Sequence, residues 1–175
     1  MTAFKAGLIS DTHGVLPETI WPLFEDVDLI FHVGDVGNRN TLADLGKLAP
    51  VLAVQGNTDA LLPELPEVVR TEIGGISVHM RHIRFAGAPG ETDSSRIELF
   101  GHTHMAHMEK KHHRLIVNPG SASRSRSGPP TAGILTINKI LVSVSLRDIS
   151  SEYLDEVKVV RMRTAGLSTA HTGKG

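Results

Sequence analysis

A chain of 175 residues is long enough for one domain with a real hydrophobic core and too short for two ordinary ones. Lys and Arg total 18 against 19 Asp and Glu, a formal charge of -1, which excludes a field strong enough to gather long nucleic acid or anionic membrane non-specifically. Cysteine is absent while His numbers 10, so any metal site must be built from His, Asp, Glu, Asn and water, without disulfides or thiolates. Nowhere do about 18 apolar residues run uninterrupted, and the N-terminus lacks an apolar export core, so a chain resident in the cytoplasm is expected.

Phe4 to Ile9 reads as a buried strand that stops at the polar loop Ser10-Asp11-Thr12-His13-Gly14. Glu18 to Glu25 reads as a short helix despite Pro22, and Asp28 to Val33 as a second apolar strand ending at Gly34-Asp35. Thr41, Leu42, Leu45 and Leu48 follow helical spacing, with Asn38 or Asn40 as N-cap; Val51 to Val54 is then a strand ending at Gly56-Asn57. This alternation predicts a parallel sheet with crossover helices. Val68 to Glu72 and Ile76 to His82 read as extended segments joined by Gly74-Gly75. Ile97 to Phe100 runs into Gly101-His102-Thr103-His104, and Leu115 to Val117 into Asn118-Pro119-Gly120-Ser121. Ile134 to Ile137 pairs with Leu141 to Leu146 across Asn138-Lys139, and all these later strands are expected to form a second sheet. Residues 121–130, rich in Ser, Arg, Gly and Pro, are expected to be a mobile surface loop. Residues 1–163 are expected to be one domain and 164–175, almost without apolar content, a disordered tail.

Metal-capable residues thus recur at the carboxyl ends of successive strands: Asp11 and His13, Asp35, Asn57, His82, then His102 and His104. In open α/β sheets ligands bind outside those ends, where residues distant in sequence converge. The His, carboxylate and amide mixture suits Mn, Fe, Zn or Ni, and seven ligands suit two ions sharing a carboxylate better than one. For the strand-end ligand, His82 is preferred over His79, because His82 continues the face of Ile76, Val78 and Met80 while His79 lies opposite.

Asp11-Thr12-His13, Gly34-Asp35, Gly56-Asn57-Thr58-Asp59, a strand ending in His82, Gly101-His102-Thr103-His104 and Asn118-Pro119-Gly120-Ser121, in that order, resemble the small calcineurin-like metallophosphoesterases over roughly residues 5 to 146. The resemblance implies a layered α/β/β/α sandwich of two mixed β-sheets flanked by helices, and a dinuclear phosphodiesterase. Asp11, His13, Asp35 and His104 would hold one ion; Asp35, Asn57, His82 and His102 would hold the other, with Asp35 bridging. Two divalent transition ions are implied, Mn foremost with Fe, Ni or Zn as options, and a hydroxide between them would be the nucleophile. Asp35, Asn57 and His102 carry catalysis on this reading, Asn57 and His107 touch substrate, and a homodimer or homotetramer acts on a small phosphodiester. The chain departs from many members in having Thr58 where they have a histidine, and Ile83 where Gly commonly follows the His82 position.

Other readings remain for single residues. Asp11 alone could cap a turn, Gly34-Asp35 and Gly56-Asn57 could be turn chemistry, and His102 with His104 a solvated pair. His32, on the strand face away from Asp35, reads as a buried hydrogen-bonded histidine, and His107, His112 and His113 beside Lys110 and Lys111 as a solvated face. The rival functions are a non-catalytic scaffold on the same fold, resembling the retromer scaffold subunit, and a nuclease. The near-neutral charge without a basic, aromatic-interleaved stripe speaks against the nuclease.

Overall fold

The computed structural model describes residues 3–84, 95–139 and 141–163, so the predicted tail at 164–175 lies outside the described residues. Two sheets face each other. The six-stranded sheet has the order β11-β10-β9-β1-β2-β3, comprising β1 (Phe4–Ile9), β2 (Leu29–His32), β3 (Val51–Ala53), β9 (Thr131–Ile137), β10 (Leu141–Asp148) and β11 (Glu156–Arg163). The five-stranded sheet has the order β4-β5-β6-β8-β7, comprising β4 (Val68–Ile73), β5 (Ile76–Arg81), β6 (Ile97–Leu99), β7 (His107–Lys111) and β8 (Arg114–Asn118). Strands β1, β2 and β3 run parallel, as do β5, β6 and β8, so in both sheets the carboxyl ends of these strands open on the same kind of rim.

Period-two alternation builds the core. Ala6 and Leu8 of β1 and Phe31 of β2 meet Val78, Met80, Leu99, Leu115 and Val117 of the opposing sheet, all essentially without exposure. Ile9 and Ile30 point the other way, beneath α1 (Ile20–Phe24) and α2 (Arg39–Leu45), where Ile20, Phe24 and Leu45 cover them. The two helices therefore lie on the outer face of the six-stranded sheet. Gly7 is where Phe24 comes closest, since a Cβ there would stand 2.9 Å from the ring. Asn38 starts α2 by accepting a hydrogen bond from the Thr41 amide at 3.1 Å.

Three expectations change. The later strands do not all form a second sheet: β9 lies antiparallel beside β1, Ala6 opposite Leu135, and carries β10 and β11 with it. The apolar alternation of Ile134 to Ile137 fits a buried position in either sheet, and β1 offered an unpaired edge. Strand β11 falls on the mixed basic and apolar run Lys158, Val159, Val160, Arg161, Met162 and Arg163, where no element was expected, and strand β7 where the sequence had suggested only a solvated face. Finally, the start of the 121–130 loop is packed rather than loose, with Ser121 and Ala122 buried.

Candidate metal centre

The rim between the two sheets is where the predicted ligands meet. Strand β1 delivers Asp11 and His13, β2 delivers Asp35, the turn after β3 delivers Asn57, β5 delivers His82, and the turn after β6 delivers His102 and His104. Backbone hydrogen bonds tie these ends together: Asp11 N–H to Gly34 O at 3.0 Å, His13 N–H to Asp35 O at 2.9 Å, and Gly101 N–H to His82 O at 3.0 Å. Seven described non-glycine residues have positive φ, and five are predicted ligands: Asp11 at 52°, His13 at 47°, Asp35 at 52°, His102 at 69° and His104 at 58°. A left-handed backbone is disfavoured for such side chains and concentrates where geometry serves a site.

One carboxylate or imidazole atom from each of Asp11, His13, Asp35 and His104 lies within 4.8 Å of all the others. His104 Nε2 stands 3.2 Å from Asp11 Oδ1 and 3.3 Å from His13 Nε2. On the other side of Asp35, His82 Nε2 is 3.4 Å from Oδ2, and His102 Nδ1 is 2.8 Å from Asn57 Oδ1. The His82 and His102 rings meet edge to face at 5.4 Å between centroids. All seven predicted ligands thus share one rim, with Asp35 between the two groups. His79 lies on the opposite face of β5, paired in register with Arg70 and Glu98.

Two of the atoms facing the centre, Asp11 Oδ1 and His82 Nε2, have no hydrogen-bond partner among the described residues. Asp11 Oδ2 accepts from Ser10 Oγ at 2.6 Å and from the His102 amide at 3.2 Å, whereas its buried Oδ1 has no hydrogen bond. His82 Nδ1 sits 2.7 Å from Val33 O and His104 Nδ1 sits 2.6 Å from Arg124 O. A carbonyl accepts only, so each Nδ1 carries the proton and each Nε2 presents a lone pair to the centre. The buried His82 Nε2 has no hydrogen bond. Orphaned acceptors aimed at one point, on rings oriented by carbonyls, are what divalent ions require of a protein.

Electrostatics agree with that fit. Burial pushes the Asp11 carboxyl above its ordinary range, only partly opposed by Ser10, His82 and His104, so the ionised form lacks enough compensating positive charge from the protein. Burial works the same way on Asp35, but the His82 ring, with Nε2 3.4 Å from Oδ2, and the hydrogen bond from the Thr58 amide outweigh it and hold this carboxyl well below the usual range. His82 is raised: burial acts against its charged form, and Asp35, the Val33 carbonyl and Asp11 prevail. A bound cation would supply the missing counter-charge and take the Nε2 lone pair instead of a proton.

Supporting side chains emerge whose hydrogen-bonding roles the sequence did not show. Asp59 is buried, and its carboxylate accepts from the amides of Val36 (3.0 Å), Gly37 (2.9 Å) and Gly56 (2.9 Å), clamping the Asp35 and Asn57 turns together. Ser121 and Ser123 donate to Asp11 O at 2.9 and 3.0 Å, so the Ser/Arg loop orients Asp11, just as Arg124 O orients His104. Gly56 has no room for a Cβ, which would collide with the Asp35 backbone and carboxylate. Their signal was present as Gly-Asn-Thr-Asp and Pro-Gly-Ser, but turn composition alone does not say what a turn holds. His107 begins β7, with its ring 6.2 Å from that of Phe100 and Nε2 3.9 Å from Glu109. A cavity of about 420 Å³ adjoins the centre, lined by Gln55, Asn57, Glu67, Arg81, His82 and Ile83 among others.

The sequence profile described as the calcineurin-like phosphoesterase superfamily domain matches residues 4–139. The chain belongs to this superfamily. A probable metallophosphoesterase of Methanothermobacter thermautotrophicus is 32% identical over 149 residues, which cover 75% of this chain and 85% of that one. A phosphodiesterase of Methanocaldococcus jannaschii is 29% identical over 157 residues, covering 77% and 94%. Among solved structures, wild-type Vps29 of Entamoeba histolytica complexed with Zn²⁺ superposes with a TM-score of 0.74 at 20% identity, covering 91% of this chain and 99% of that one. The superfamily fold of two mixed sheets is thereby shared, and the His and Asp cluster on the rim sits in a metallophosphoesterase frame.

Proposed function

We propose that the chain is a dinuclear metal-dependent phosphodiesterase, with Asp11, His13, Asp35 and His104 as ligands to one ion, Asp35, Asn57, His82 and His102 as ligands to a second, and Mn as the leading metal. The observation that carries this reading is the position of Asp35, whose Oδ2 lies 3.9 Å from His13 Nε2 of one ligand set and 3.4 Å from His82 Nε2 of the other. A bound pair of divalent ions would supply Lewis acidity toward water and phosphoryl oxygens. The protein's own part is positional. The Thr58 amide holds Asp35 Oδ1, Val33 and Arg124 carbonyls turn His82 and His104, and Ser10 fixes Asp11, so little reorganisation is needed when substrate arrives.

Asn57 and His102 are exposed at the mouth of the centre and are proposed to meet the phosphoryl group. The non-reacting part of a small diester would extend into the adjoining cavity, whose size suits a small organic group and not a polymer. His107 is a further substrate contact on this reading. We place the enzyme in the cytoplasm, in keeping with the absence of cysteine, acting as a homodimer or homotetramer on small diesters and not on long nucleic acid; among the described residues no helix is long and apolar enough to cross a membrane.

A protein named Vps29 is solved with zinc on this same fold, so metal binding alone does not separate enzyme from scaffold. Turnover does. The test is metal analysis after Mn reconstitution together with hydrolysis of bis(4-nitrophenyl) phosphate. Two ions per chain with turnover supports the proposal. Full metal occupancy with no hydrolysis of any diester, nucleotide or cyclic nucleotide tried would favour the scaffold, and less than one ion per chain would remove the dinuclear centre.

A further inference from the structure

At the end of the sandwich away from the metal rim, edge strands β7 and β11 of the two sheets pack against one another. Between them lies a cavity of about 480 Å³ lined by Arg96, Lys110, His112, His113, Arg161 and Arg163, with two apolar side chains completing it. No described carboxylate lines it. A neighbouring cavity of about 410 Å³ shares Arg96, His112 and His113. The chain as a whole carries -1, so this concentration of one sign is local and unlike the interspersed charges of an ordinary surface.

The nearest described acid on β6, Glu98, is already engaged: Arg84 Nε lies 3.0 Å from it and an Arg114 guanidinium nitrogen 3.4 Å. The remaining cations share the cavity. Strand alternation puts Arg161 and Arg163 on one face of β11, and the β7–β8 turn, with His112 at a φ of 51°, brings Lys110, His112 and His113 to the same cavity.

Cationic residues on edge strands are common because they discourage edge-to-edge aggregation, and that would account for Lys110, Arg161 and Arg163. It does not account for Arg96. This residue immediately precedes the interior strand β6, its Nε is buried with no hydrogen-bond partner among the described residues, and it lines both cavities. A buried guanidinium nitrogen left unsatisfied beside like charges is costly unless an anion completes it.

We propose that this cavity is a second anion site, separate from the metal centre, that takes a compact polyphosphate-bearing small molecule. Multiple phosphoryl groups match the fork geometry of the arginines, and the volume of this open cavity fits a small molecule. No Phe, Tyr or Trp lines it to give nucleobases a broad stacking platform, which favours a small polyanion over single-stranded nucleic acid. Lys110, which lines the cavity, pairs with Leu115 of β8, three residues from Asn118 beside the metal rim, about 10 Å at strand rise, so one phosphoryl group cannot serve both sites.

The probe is inorganic tripolyphosphate, titrated calorimetrically into metal-loaded protein in millimolar Mg²⁺, which occupies the probe's chelating oxygens so that the resident ions stay in place. Wild-type protein should bind with an affinity that falls as salt rises. Arg161→Gln with Arg163→Gln, both exposed and away from the metal ligands, should weaken binding at least tenfold while leaving diester hydrolysis unchanged, and the double Lys variant should retain most of it. Arg96→Gln with a native melting curve should show a comparable loss. Equal affinity in the double Gln variant would overturn the proposal, as would tighter binding of a single-stranded oligonucleotide than of tripolyphosphate at equal phosphate concentration.

Discussion

His32 makes a sharp demand on stability at low pH. It has no exposure, and its Nε2 lies 2.9 Å from Thr12 Oγ1. The Thr12 hydroxyl donates to Val36 O at 2.9 Å, so it must accept from His32 Nε2–H, and the buried Nδ1 on the far side of the ring has no hydrogen bond. A proton added at Nδ1 would be charged, buried and unpaired. Burial pushes this imidazole down from 6.5 to about 4, with Asp59 opposing too weakly to reverse it. Because the folded value lies below the unfolded one, the unfolded chain takes up its proton first as pH falls. The neutral ring's contribution is therefore intact above about 6.5 and is lost progressively down to about 4. With those two values, linkage gives a loss of about 2 kcal/mol between pH 7 and pH 5 from this one residue. The measurement is urea unfolding of wild type and His32→Gln at both pH values under identical metal conditions, so that acid effects on other groups are common to both. Glutamine can still offer an amide N–H toward Thr12, and it cannot titrate. Wild type should be the more stable at pH 7, and its advantage should shrink by about 2 kcal/mol at pH 5. A difference that stays constant across the two pH values would refute the neutral, unsatisfied histidine.

Asp35→Asn replaces the shared carboxylate by an amide that cannot bridge two cations well. Metal content should fall below one ion per chain, and kcat/KM should drop by more than the about 10 to 100-fold usual for residues that merely orient ligands. Ser121→Ala removes a hydroxyl that donates to Asp11 O and accepts from the Arg124 amide at 2.8 Å, and should fall within that 10 to 100-fold range, read as weaker Mn affinity in a chelator competition. Edge strands β3 and β4 expose unpaired backbone at the sheet margins, so light scattering at working concentration should report a dimer or tetramer, and a monomer would contradict that.

What was legible in the sequence was whatever repeats. Strand ends punctuated by Asp-Thr-His, Gly-Asp, Gly-Asn and Gly-His-Thr-His placed seven side chains on one rim, because parallel strands share a carboxyl edge and the residue types there are uncommon elsewhere. The alternation of Ile76, Val78 and Met80 was enough to carry His82 to the same face as the core and leave His79 opposite. Less legible was which sheet a strand joins. β9 is apolar at both faces, and only its pairing with β1, a contact more than 100 residues distant, decides the matter. The supporting residues were hidden for a related reason. Ser121, Ser123 and Asp59 act through hydrogen bonds to backbone atoms of other turns, and Arg124 through its own carbonyl to the His104 ring; a Ser/Arg-rich segment with those duties has the composition of one with none.

Thr58 concerns the one chemical role that no residue at the centre fills. As a phosphoester bond breaks, the departing oxygen gains charge, and a positioned general acid typically contributes about 10² to 10⁴-fold to such a step. Thr58 has a hydroxyl far too weak for this, and its backbone is already committed, donating to Asp35 Oδ1 at 2.9 Å. Asp59 is no substitute, since its carboxylate is buried and taken up by three amides. Hydrolysis should therefore favour aryl over alkyl diesters, with rate falling steeply as leaving-group pKa rises. Thr58→His keeps the amide that holds Asp35 while placing an imidazole at an exposed position beside Asn57, so it should flatten that dependence and help alkyl esters most. The assay is a leaving-group series on both proteins, with metal content measured alongside so that a lost ion is not read as lost chemistry. A slope already shallow in the wild type would mean that another side chain delivers the proton, and His107, next to Phe100 on β7, would be the first to replace with Gln.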